Sequence, residues 1–168
     1  MTQQKLVSQY LSNSIQSYLI EKLSPQDKQK TLIQAEECLR FLYLSSLTQG
    51  SIPVTKTIDD IWHLLILQTK EYSELCQSLP GKKLIHHTSD IYLKYFSLNS
   101  SSAENEKTKE YEENELESQR QLEWLVSYVF NFGDFTNESI SYWSFATALC
   151  EKHKFSPDQL NNELRTFL

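Results

Sequence analysis

A chain of 168 residues, 39% of them hydrophobic and 12% aromatic, carries enough apolar side chain for one domain with a real core and too little length for a second full one. With 22 acidic against 16 basic residues and a formal charge of −6, it lacks the Lys and Arg excess that neutralises phosphates, so a general nucleic-acid binder and a surface drawn to anionic lipid are both disfavoured. No run of about 18 apolar residues occurs, and no membrane-spanning helix is expected.

The opening Met1-Thr2-Gln3-Gln4-Lys5 runs into polar-interrupted sequence rather than the apolar centre of a signal peptide. Cys38, Cys76 and Cys150 are odd in number and widely spaced, which fits reduced thiols. The expectation is a cytoplasmic protein, or one exported by a route that needs no signal peptide.

In chain order the patterned segments are helical. Val7, Leu11, Ile15, Tyr18 and Leu19 recur at helical spacing and predict a first helix. Ser24-Pro25-Gln26-Asp27 supplies a capping Ser, a Pro suited to the first turn and an acid beside it. It predicts the start of a second helix with the stripe Leu32, Ala35, Leu39 and Leu42. Gln49-Gly50-Ser51-Ile52-Pro53 ends that helix, because the residue before Pro is pushed out of helical geometry.

A third helix is predicted from about Thr57 to Leu79, with Ile58, Ile61, Trp62, Leu65, Thr69, Tyr72, Cys76 and Leu79 on its inner side and Pro80-Gly81 as its stop. Residues 97–109, with Ser100-Ser101-Ser102, read as a flexible polar loop. The acidic stretch from Glu110 to Glu117 opens a helix expected to bury Leu122, Leu125, Val126, Val129 and Phe130. Gly133-Asp134 breaks the chain. Ile140, Trp143, Thr147 and Cys150 mark the next helix, and Ser156-Pro157-Asp158 opens the last, expected to bury Leu160, Leu164 and Phe167. The reading is an all-α compact bundle of about six helices, a single domain over residues 1–168.

The chemistry-bearing residues are concentrated in one stretch. Asp59, His63, Cys76 and the pair His86-His87 hold three of the four histidines within a short span. Asp59 and His63 stand one helical turn apart, close enough for a carboxylate to hold an imidazole N–H or for both to bind one ion. His86 and His87 lie on neighbouring positions of an extended segment, so one is expected to face the site and the other solvent. From His63 to Leu79 a straight helix runs about 24 Å, and the residues from Leu79 to His86 reach at most about 24 Å. A shared site therefore requires Pro80 to His87 to double back along the helix, or the helix to end early. Cys76 falls about 140° around the helix from His63 and cannot easily share a ligand with it.

The same residues have plain structural roles open to them. Trp62 and Tyr72 at helical spacing serve a core in which their N–H and O–H find partners. Cys76 suits a small buried hydrophobe. Asp59 and Asp60 sit in a helix's first turn, where the macrodipole favours carboxylates, and His86-His87 suits a solvated loop.

Asp59, Trp62-His63, Ile66-Leu67, Thr69, Tyr72, Cys76, Gly81 and His86-His87 together resemble the signature of the glycine-rich domain-containing protein family. The likeness is confined to that stretch. Longer plant members often carry a second His where this chain has Leu65, and with only Gly50, Gly81 and Gly133 the glycine-rich region is missing. The resemblance implies a short, bacterial-type helical domain with a site, and it names no reaction.

Two functional classes follow. In one, Asp59, His63 and His86 or His87 hold Zn²⁺ or Fe²⁺, in a binding or accessory factor or in a metal-dependent enzyme of hydrolase or non-haem iron type. In the other, the motif is purely structural and the chain is an adaptor whose acidic 104–117 region meets a basic protein partner. No Gly-rich phosphate loop and no nucleophile motif is present, and no partner among nucleic acids or membranes is expected.

Overall fold

The computed structural model describes residues 5–48, 52–87 and 106–168, with side chains from residue 119 onward in the last stretch. The fold is all-α. Among the described residues there are eight α-helices and no strand: α1 (Leu6–Tyr10), α2 (Asn13–Leu23), α3 (Lys28–Leu47), α4 (Lys56–Leu67), α5 (Thr69–Ser78), α6 (Glu106–Phe132), α7 (Ser144–His153) and α8 (Pro157–Arg165). A 3₁₀ turn, Ser139–Tyr142, precedes α7. Among the described residues no helix is long and apolar enough to cross a membrane.

The helix count exceeds the six expected because predicted helices are interrupted. The first splits at Leu11-Ser12, where the Ser12 hydroxyl accepts the Ile15 N–H and caps α2. The third bends at Gln68, between α4 and α5. The helix expected around Ile140 is divided into the 3₁₀ turn and α7.

Caps set several boundaries. Asp27, rather than Ser24, caps α3 by accepting from Lys30 N–H at 3.0 Å. At α8 the expected opening is present in full, since Ser156 and Gln159 exchange reciprocal hydrogen bonds and Pro157 takes the first position. The N-terminus of α1 is capped from outside, with both Glu36 oxygens accepting, one from Leu6 N–H and one from Val7 N–H.

Helix α3 is the axis of the molecule. It packs against α1, α2, α4, α6 and the 3₁₀ turn, and it is buried on several sides, through Ala35, Cys38, Leu39, Phe41, Leu42 and Leu44. On α6 the inward stripe is Trp124, Leu125, Tyr128 and Val129. Phe130 lies 74% exposed and Phe167 61% exposed, so both depart from the expected core. Phe130 stands about 170° of helix rotation from the centre of the buried face, and Phe167 lies beyond the end of α8.

Most of the predicted polar loop 97–109 lies outside the described residues, as do the side chains of the acidic 104–117 region. Residues 106–109 belong to α6, which starts before Glu110.

Candidate metal centre

Helix α4 carries Asp59 and His63 one turn apart, as the spacing requires. The His63 Nδ1 lies 2.8 Å from the Asp59 backbone carbonyl and 3.3 Å from its carboxylate. Donation of Nδ1–H to that carbonyl leaves Nε2 with the free lone pair, the usual arrangement of a metal-ligating histidine. His63 is exposed and Asp59 half-buried, so the group opens to solvent.

The bend at Gln68 brings the third group in. Because α5 departs from the line of α4, the Tyr72 hydroxyl reaches Trp62, whose indole N–H donates to it at 2.8 Å. The same hydroxyl donates to the Ile85 carbonyl at 2.6 Å. Two further contacts fasten the returning segment to the end of α3. Gly81 N–H donates to Ser46 Oγ at 3.2 Å, and Lys83 Nζ donates to the Thr48 carbonyl at 2.8 Å. Gly81 is required there, because a Cβ would stand 1.8 Å from the Ser46 carbonyl oxygen.

The doubled-back segment delivers His87. Its Nε2 lies 2.8 Å from the Asp59 carboxylate, its ring centroid 4.3 Å from that of His63 and 4.5 Å from that of Trp62. His86, one residue earlier, is exposed and outside the group, as alternation on an extended segment dictates. Asp59, His63 and His87 each offer a ligand atom, and these lie within 4.8 Å of one another. Ligands around a tetrahedral ion at bond lengths of about 2.0–2.1 Å stand about 3.3 Å apart, so small side-chain rotations suffice to enclose one.

Beneath this group the side chains are structural. Trp62 packs edge-on to Phe41 with ring centroids 4.9 Å apart, and Cys38 and Cys76 are buried free thiols. Burial, and after it the negative charge of Asp59, pushes the Cys38 thiol far above its ordinary range, so it stays protonated. Burial likewise raises the Tyr72 phenol and keeps it a neutral hydrogen-bond donor. Thr69, expected on the inner side, is exposed, since it follows the bend.

A second polar group was not legible from motifs. The Glu37 carboxylate accepts from Arg40 at 2.9 Å, Trp143 Nε1–H at 2.9 Å and the Tyr128 hydroxyl at 3.1 Å. Arg40 also donates to Tyr128 at 2.6 Å. Burial pushes the Glu37 carboxyl above the ordinary range, against the opposing pull of Arg40 and the Trp143 and Tyr128 donors. The one sequence signal is a pair of charged residues inside the apolar stripe of α3. Glu37 and Arg40 line a cavity of about 570 Å³, and a second, of about 280 Å³, lies between the α1–α2 junction and the corner from α4 into α5; neither is lined by Asp59, His63 or His87.

Among curated proteins and among solved structures nothing matches the chain. A family model described as UCP032817-like matches residues 2–119, more than two thirds of the length and all of the segment from Asp59 to His87. That match overturns the likeness to the glycine-rich domain-containing protein family, which rested on scattered agreements within one short stretch. Extending from α1 through α5 and into α6, it shows that the chain belongs to the UCP032817-like family.

Proposed function

We propose that this protein is a binding or accessory factor that holds a divalent transition-metal ion, Zn²⁺ or Fe²⁺, through Asp59, His63 and His87. The observation that carries the reading is the convergence of one carboxylate and two imidazoles, from residues 28 apart in the case of Asp59 and His87. Two nitrogen donors and one oxygen donor suit metals of this class, and three protein ligands leave further positions for water or another ligand. In the metal-free state the His87 Nε2–H donates to the Asp59 carboxylate at 2.8 Å. A cation would take the place of that hydrogen-bonded proton.

Binding is favoured over catalysis because the group is open to solvent and lines neither of the two cavities described above. An ion held here would act as a Lewis acid, and the side chains around it supply orientation.

Elemental analysis of protein purified without a polyhistidine tag, followed by Zn²⁺ titration of the chelator-treated protein, tests the reading. Stoichiometric uptake is expected, lost in His63→Ala and in His87→Ala and retained in His86→Ala. His63 is exposed, so its removal should change stability by no more than about 0.5 kcal/mol and leave helicity intact. Absence of stoichiometric uptake by the unaltered chain, or equal uptake by all three variants, would overturn it.

A further inference from the structure

We propose that Tyr72 is the positioning residue for His87, an assignment that deepens the metal-binding reading and rests on it for its purpose. One oxygen atom fixes both surfaces that locate the imidazole. The Tyr72 hydroxyl accepts the Trp62 indole N–H at 2.8 Å, and the Trp62 ring is one against which His87 packs, at 4.5 Å between centroids. It donates to the Ile85 carbonyl at 2.6 Å, and Ile85 lies two residues before His87 on the same extended segment. Tyr72 is buried, and its hydroxyl acts on the site through Trp62 and the backbone at Ile85.

A single hydroxyl that both accepts and donates has a direction. With the indole N–H supplying a proton to it, its own proton is free to point at the carbonyl. Removing the oxygen leaves two buried groups, an N–H and a C=O, without their partner. The cheapest relief is for the segment carrying Ile85 to lift toward water, and His87 then leaves Asp59. Preorganisation of this kind is worth about 10–100-fold in metal affinity where the residue behind a ligand is lost.

The test uses Tyr72→Phe, which removes one oxygen and keeps the packed ring. In the metal-free protein, ¹⁵N shifts of the histidine rings are read near pH 8, above the ordinary imidazole pKa of about 6.5. In the unaltered chain His87 is expected as one tautomer, Nε2–H, fixed by Asp59, with His86 averaging between two. In Tyr72→Phe the His87 shifts are expected to move to the averaged pattern. A merely structural tyrosine would lower the melting temperature and leave that tautomer as it was, and this result would overturn the proposal.

Co²⁺ titration supplies the second reading, with binding about 10–100-fold weaker in Tyr72→Phe than in the unaltered chain. Equal affinity would overturn the assignment. If the unaltered chain takes up neither Co²⁺ nor Zn²⁺, the metal reading falls, and the tautomer measurement alone decides whether Tyr72 positions His87. Should Tyr72→Phe fail to fold, the unaltered chain is read instead: a slowly exchanging Tyr72 hydroxyl proton, held by the Ile85 carbonyl, is expected by NMR, and a hydroxyl proton that exchanges as fast as a solvent-exposed one overturns the proposal.

Discussion

Both oxygens of the Glu37 carboxylate accept from residues on other elements or one turn away, yet burial still raises its pKa above the ordinary value of 4.5. The folded chain thus holds the Glu37 proton to higher pH than the unfolded chain does. Stability from this residue is fully present below the unfolded value and is lost as pH rises from there through the raised folded value. Glu37→Gln cannot titrate, and its amide N–H₂ would face donors, so it should destabilise by about 1–3 kcal/mol. That penalty should be larger near pH 4 than at pH 7, measured by urea unfolding of both proteins. A net-stabilising ion pair would give the opposite trend. The partners Tyr128 and Trp143 lie 91 and 106 residues along the chain from Glu37, and no local pattern links residues so far apart. Asp59 and His63 were readable because a helix makes neighbours of residues four apart.

At the scale of elements the informative place is the corner from α4 to α5 and the segment that follows. Leu67-Gln68-Thr69 contains neither Gly nor Pro, so the usual punctuation of a bend is missing and a continuous helix is the natural reading. Tertiary contacts decide otherwise: the Trp62 indole finds its acceptor in Tyr72, which a straight helix would have carried away. The stop at Pro80-Gly81 was readable, whereas the reason for the glycine was not, since it depends on Ser46 from another helix. Gly81→Ala places a methyl against backbone that cannot rotate aside. It should cost about 1–3 kcal/mol and loosen the segment through His87. Thermal unfolding and amide exchange at residues 82–87 check this, and a variant as stable and as protected as the parent would show that the contact is dispensable. The capping box at Ser156 had the opposite character, being written entirely in adjacent residues.

Across the described residues, the buried side chains of α1 to α8 join in one hydrophobic cluster, and α3 packs against the N-terminal helices on one side and against α6 and the 3₁₀ turn on the other. The all-α class was legible because every strongly patterned stretch has a helical period. The exposure of Phe130 and Phe167 was not, because it depends on which side of α6 and which end of α8 meet the rest. The three tryptophans happen to divide between these regions. Trp62 is flanked by the His87 imidazole at 4.5 Å, while Trp124 and Trp143 face each other at 5.1 Å across the α6 side. The chain thus carries two optical gauges of its own: an indole beside an imidazole, open to quenching, and an indole pair close enough for coupled near-ultraviolet dichroism. If α3 binds the two regions into one cooperative unit, the fluorescence of Trp62, isolated in a Trp124→Phe, Trp143→Phe background, and far-ultraviolet helicity will give superimposable urea curves for that protein. Separated midpoints would mean that α3 melts away from one side first.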